Sequence, residues 1–187
     1  MLIFDLLSVY REHAESAVSA VPAGSMLEKT ADEILEMVTC YAEDAQVFFE
    51  RGDLVNAFAA SAYGFGWLDA GVYLGYISTE KTPEILLKKD FPLNLREKLE
   101  EKVLRYQRML TEALVAVFPA PDAECGIFFA VKRIIREAEK RLKIGAAYLP
   151  DDYVNALVEF SYGYSWLDCG VRSGLLSIHG DRHLFTI

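Results

Sequence analysis

The sequence predicts an all-α protein in which two similar three-helix units pack as an internal pseudo-dimer, a six-helix bundle. Three observations lead there. The segment GDLVNAFAASAYGFGWLDAGVYLGYIS, Gly52 to Ser78, recurs as DDYVNALVEFSYGYSWLDCGVRSGLLS, Asp151 to Ser177, so one structural unit is present twice. Elsewhere apolar residues recur at intervals of three and four, the spacing of an amphipathic helix. Between these stretches fall Gly, Pro and short polar clusters, which end helices.

Taken in order, Leu2, Leu6, Val9, Tyr10, Ala14, Ala17 and Val21 mark a first helix over about 2–21, ended by Pro22-Ala23-Gly24. Ser25-Met26-Leu27-Glu28 has the capping-box form and predicts a second helix over 25–51. Its core stripe is Ile34, Val38, Tyr41, Ala45 and Phe48. Gly52 supplies a left-handed turn and Asp53 a cap, so a third helix follows over 53–77 as the return arm of a tight hairpin. Thr79 to Pro92, rich in lysine and carrying two prolines, reads as the connection, with one helical turn near Glu84 to Leu87. The second half repeats the plan at 93–118, 122–144 and 151–177. Setting Gly52 against Gly145 and Asp53 against Asp152 predicts that its middle helix stops at Ile144 and that residues 146–151 are an insertion at the hairpin tip. The domain boundaries that follow are 1–80 for the first unit, 81–92 for the connection, 93–178 for the second unit and 179–187 for a C-terminal tail.

Composition narrows the function. A chain of 187 residues, 52% hydrophobic and 25% charged, supports a packed core. Its formal net charge of −9 repels polyphosphate, and the densest basic run, Val131 to Lys143, is interleaved with Glu137 and Glu139 as on a solvated helix face. Nucleic acid is therefore not a favoured partner. Three cysteines without a C-x-x-C pattern speak against a disulfide framework and a zinc ribbon and fit a reducing cytoplasm. The start, MLIFDLLSVYREHAES, has no basic lead and carries Asp5 in its apolar run, which argues against a signal peptide. Leu54 to Ile77 is long and apolar enough to consider as a membrane span. Its second copy holds Glu159, Asp168 and Arg172, which are costly in lipid, so both copies read as buried core helices and no membrane is expected.

Within the repeat, Val55, Asn56, Ala57, Tyr63, Gly64, Trp67, Leu68, Asp69, Gly71, Val72, Gly75 and Ser78 are the same in both copies. Glycine weakens a helix interior by roughly 1 kcal/mol relative to alanine, so its retention calls for close approach of a neighbouring helix. On one reading Tyr63 and Trp67 fill the core and Asp69 anchors helix positions. On another, Tyr63, Trp67 and Asp69 with Tyr162, Trp166 and Asp168 line a ligand pocket of aromatic faces and carboxylates. Asp168 and Arg172, four residues apart, are also placed to pair across one turn.

The pattern F-x-x-x-G-D-x-V-x-A at Phe48 to Ala57, followed by Y-G-x-G-W-L-D-A-G at Tyr63 to Gly71, resembles an archaeal family known as domain of unknown function 357. The second half keeps D-Y-V-N-A-L at Asp152 to Leu157 and S-Y-G-Y-S-W-L-D-C-G at Ser161 to Gly170. The resemblance implies two tandem helical copies and an archaeal source, and it carries no activity or catalytic residues to transfer. Arg172 and His179 form R-x-x-x-x-x-x-H, which is similar to the signature of HEPN ribonucleases and implies candidate catalytic residues; the first copy has Tyr73 and Glu80 there. His179, Asp181 and His183 would share a helix face, but Gly180 interrupts it. With no phosphate loop, nucleophile elbow or metal-ligand spacing, no metal or cofactor is expected and a non-enzymatic role is favoured. The function expected is that of a protein-interaction or scaffold module, with a protein partner or self-association. The alternatives are a small-ligand binder using the Tyr, Trp and Asp set, and a HEPN-like ribonuclease.

Overall fold

Long aliphatic, alanine and charged residues at helical spacing build all the major elements. A computed structural model of the chain describes residues 3–79, 91–149 and 151–185; the helical turn expected near Glu84 to Leu87 lies outside them. The helices are α1 (Ile3–Ser16), α2 (Glu28–Glu50), α3 (Leu54–Tyr73), α4 (Arg96–Ala116), α5 (Phe128–Tyr148) and α6 (Tyr153–Arg172). Within each unit the second and third helices form an antiparallel hairpin against which the first helix packs. The two units meet through α3 against α6. These two helices are buried along nearly their whole length, which explains why their sequences read as continuously apolar. Among the described residues no helix is long and apolar enough to cross a membrane.

The stripe Ala31, Ile34, Val38 and Ala45 of α2 faces the core, and Val131, Ile134, Ala138 and Gly145 do the same from α5. This pairing corrects the expected alignment. Gly145 corresponds to Ala45, not to Gly52, and lies inside α5, where an added Cβ would sit 2.7 Å from Phe160 Cδ1. Glycine is there to admit the phenyl ring, so it does not stop the helix. No insertion exists at the second hairpin tip; the path from Gly145 to Asp152 is one residue shorter than that from Ala45 to Asp53.

Helix ends also differ from expectation. The first helix ends at Ser16, and Val18–Ser19 (β1) pairs antiparallel with Ile77–Ser78 (β2); in the second unit Val117–Pro119 (β3) pairs with Leu176–Ile178 (β4). These ladders form because α3 and α6 stop early. Gly75 and Gly174 take φ of +75° and +71°, and the amides of Tyr76 and Leu175 return to the carbonyls of Gly71 and Gly170 at 3.0 Å. Such left-handed caps end a helix and turn the chain into an extended run with open backbone groups. Each ladder ties the end of a unit's first helix to the end of its third.

At α2 the capping box is only half used. Glu28 accepts the Gly24 amide at 2.9 Å, but the helix begins at Glu28 behind Leu27 with no side-chain cap from Ser25. In the second unit the helix expected from Asp122 begins at Phe128; Asp122 instead closes a turn by accepting the Glu124 amide. The C-terminal segment folds back, burying Phe185, whose ring stacks on Tyr164 with centroids 6.4 Å apart.

Candidate functional site

The retained residues fall into three groups by what they touch. At the start of each central helix an Asp–Asn pair forms the cap. Asp53 accepts the Asn56 amide at 3.3 Å and the Asn56 side-chain N–H at 2.6 Å; Asp152 and Asn155 repeat this at 3.1 and 2.7 Å. The asparagine is kept because it closes this small ring, satisfying donors a helix start leaves open.

At the retained glycines inside the helices, Gly64 and Gly71 with their counterparts Gly163 and Gly170, side chains fill the space a Cβ would take. A Cβ on Gly64 would run into the Tyr10 ring, and one on Gly163 would lie 2.7 Å from Arg141 Cβ. At Gly71 and Gly170 the nearest atoms belong to Ile34 with Ile77, and to Leu176 with Ile134. The closest backbone approach is at a position that is not retained. Gly66 and Ser165 occupy equivalent places in the two copies and face each other where α3 crosses α6; a Cβ on Gly66 would lie 2.6 Å from the Tyr162 carbonyl oxygen and overlap the Ser165 hydroxyl.

Around that crossing the Tyr and Asp residues pair across the units. The Tyr63 hydroxyl donates to Asp168 Oδ2, and the Tyr162 hydroxyl donates to Asp69 Oδ2 at 2.5 Å. The two bonds are the same contact made in both directions, which defines a pseudo-two-fold axis through Gly66 and Ser165. Burial first, and then the Asp69 charge, push the Tyr162 phenol far above its ordinary pKa, so it stays a donor. Asp168 is only 1% exposed, and the hydrogen bond it accepts offsets part of the cost of burying its polar oxygens. Trp67 is fully buried, and Trp166 lies beside Tyr73 of the other unit with centroids 5.7 Å apart. Tyr73 reaches on to the Ala130 carbonyl at 3.4 Å and lies under Arg133.

The chain matches the family described as Protein of unknown function (DUF357) over residues 7–77 and again over 105–176. It belongs to the DUF357 family. No curated protein and no solved structure matches it. The two DUF357 copies coincide with the two units, and their shared Tyr, Asp and Asn positions are those just described.

The remaining sequence candidates lie apart from the axis. Arg172 Nη1 reaches across the units to Glu33 at 3.9 Å. His179 is exposed after β4, its amide bonded to the Ala116 carbonyl at 2.7 Å and its ring beside Phe118. Asp181 caps a short turn by accepting the His183 amide. Among the described residues no group of three His, Cys, Asp or Glu side chains is placed to hold a metal ion.

Three residues absent from the sequence candidates shape this region. Arg141 lies over the Tyr162 ring at 4.2 Å and pairs with Glu159 at 3.1 Å and Glu137 at 2.7 Å. Burial raises the Glu159 pKa against the pull of Arg141. The first copy has Tyr41 where the second has Arg141, and Tyr41 packs on Tyr63 with centroids 4.6 Å apart. Lys102 comes from the extra N-terminal turns of α4 to donate to the Asn56 side-chain oxygen. The unlike pair Tyr41 and Arg141 was visible in the sequence only once α2 and α5 were aligned through Ala45 and Gly145.

Proposed function

We propose that the protein is a non-enzymatic helical scaffold that binds a protein partner on its outer surface, in a reducing cytoplasm. The observation that carries this reading is the reciprocal Tyr63–Asp168 and Tyr162–Asp69 pairing. Four of the six residues with the most chemistry in the repeated motif bond to each other at the join between the units, so the motif serves assembly. The outer surface holds large apolar groups that the core does not use, with Met26 93% exposed and Phe129 75% exposed. Such side chains gain free energy when another protein surface removes them from water. The free thiols of Cys40 and Cys125, both exposed, support a reducing compartment.

Affinity capture from a native extract, followed by cross-linking of the retained protein, tests the proposal. Cross-links are expected near the 20–29 and 120–132 segments, and Met26→Ser with Phe129→Ser should abolish retention while leaving the far-ultraviolet circular dichroism unchanged. No retained protein, or retention unaffected by these substitutions, would refute it.

A further inference from the structure

Pseudo-symmetry makes the second unit a control for the first. On the flank of Tyr162 the second unit is closed by its own charges, Arg141 pairing with Glu159 and Glu137. The corresponding positions in the first unit are Tyr41 and Ala60, neither of them charged, and beside them lies a groove of about 290 Å³ lined from α2, α3 and α4. Tyr41, Phe48, Tyr63 and Tyr106 are among the residues that line it. Lys102 enters the same groove half-buried, its Nζ 5.2 Å from the Tyr106 centroid, and gives its hydrogen bond to Asn56.

Among the described residues Lys102 makes no ion pair with a carboxylate, whereas Lys98, one turn earlier, holds Asp53 at 2.8 Å. Asp53 and Glu101 attract this half-buried ammonium from beyond ion-pair distance, so the cost of its burial is only partly compensated. Burial first, and then Arg105, lower its pKa accordingly, and a bound anion would reverse that effect.

We infer that this groove binds a small planar organic monoanion, with its carboxylate on the Lys102 ammonium and its ring against the tyrosine faces. The flat part of such a ligand gains offset stacking on electron-rich rings, and the groove volume suits one or two fused rings. A single lysine, with Asp44 exposed at the rim and a formal net charge of −9 on the chain, favours one negative charge over two. This site is independent of the scaffold reading, since it lies beside the join and uses neither Met26 nor Phe129.

Calorimetric titration of the full chain at low salt with 1-naphthoate, and with 1-naphthalenemethanol as the uncharged analogue, tests the inference. Saturable binding of naphthoate with a Kd of about 1 mM or tighter is expected, with the alcohol at least ten-fold weaker. Lys102→Gln should weaken naphthoate binding at least ten-fold and Lys98→Gln by no more than about two-fold. Ala60→Glu, which supplies the carboxylate that Glu159 gives the other unit, should abolish binding with the fold retained, so the result does not depend on Lys102→Gln folding. No saturable binding, equal binding of the alcohol, or full binding by both Lys102→Gln and Ala60→Glu would overturn it.

Discussion

Replacing Gly66 with serine adds a Cβ at the point where α3 crosses α6, 2.6 Å from the Tyr162 carbonyl oxygen. Ordinary contacts between carbon and carbonyl oxygen lie at about 3.3 Å or beyond, so the helices must part by several tenths of an ångström. Overpacking of this kind costs about 1–3 kcal/mol, against a gain of about 0.5 kcal/mol from replacing glycine in a helix. A net loss of about 1–2 kcal/mol is expected, which at a urea m-value of about 2 kcal/mol/M lowers the unfolding midpoint by about 0.5–1 M. The informative variant is the exchange, Gly66→Ser with Ser165→Gly. Because these positions are related by the pseudo-two-fold axis, the exchange restores one small and one larger residue at the crossing, and the propensity changes cancel. Its midpoint should return to within about 0.3 M of the parent. Circular dichroism during urea titration reads all four proteins. A double variant that falls by the sum of the two single losses would refute the symmetric crossing.

Tyr63→Phe removes a hydrogen bond to a buried carboxylate and should cost about 1.5–3 kcal/mol; Tyr162→Phe should cost less, about 1 kcal/mol, because Asp69 is only partly buried. Equal and negligible losses in urea titration would contradict the pairing. Gly75→Ala and Gly174→Ala should each lower stability by about 1–2 kcal/mol because both sites have left-handed φ with open space around them; a gain in thermal midpoint at either would contradict the cap. Gly145→Ala should cost about 1–3 kcal/mol through collision with Phe160, and an unchanged urea midpoint would count against that packing. Burial raises the phenol pKa values of Tyr10, Tyr162 and Tyr164. These groups keep their protons in the fold while the unfolded chain loses them near pH 10, so their contribution is complete below about pH 10 and declines above it. Phenolate absorbance should therefore rise for these three only as the protein unfolds in alkali; early, independent ionisation would argue against their burial.

The duplicated helix was legible because its pattern repeats within one chain, and the core stripe of α2 was legible from its spacing. Asp69 and Asp168 were legible as carboxylates shared by the two copies. Their partners were not, because a hydrogen bond from Tyr63 to Asp168 joins residues far apart in sequence and depends on how α3 meets α6. Gly145 was misread because glycine after a helical run looks like a stop from local propensity alone; what decides it is the Phe160 ring from another helix. The same limit applied at Gly75, where a left-handed cap and a close-packed helical glycine are written with the same letter. The short ladders were missed because two or three residues hold too little pattern, and their pairing depends on where another helix ends. Ser25 offered a cap, but the turn through Gly24 places the first helical residue at Glu28.

The crossed Tyr–Asp bonds bind the histories of the two copies together. A change of Tyr63 is felt by Asp168 in the other half, and a change of Tyr162 by Asp69. A substitution at one of these sites in either half therefore alters the setting of its partner in the other. Away from the axis the halves are under no such bond. Tyr41 and Ala60 have parted company with Arg141 and Glu159, and the fold has kept its form while one flank became a closed charge cluster and the other an open groove. Joining two copies in one chain thus freed each flank to specialise, a freedom denied to a dimer of identical chains, where every substitution appears on both sides at once.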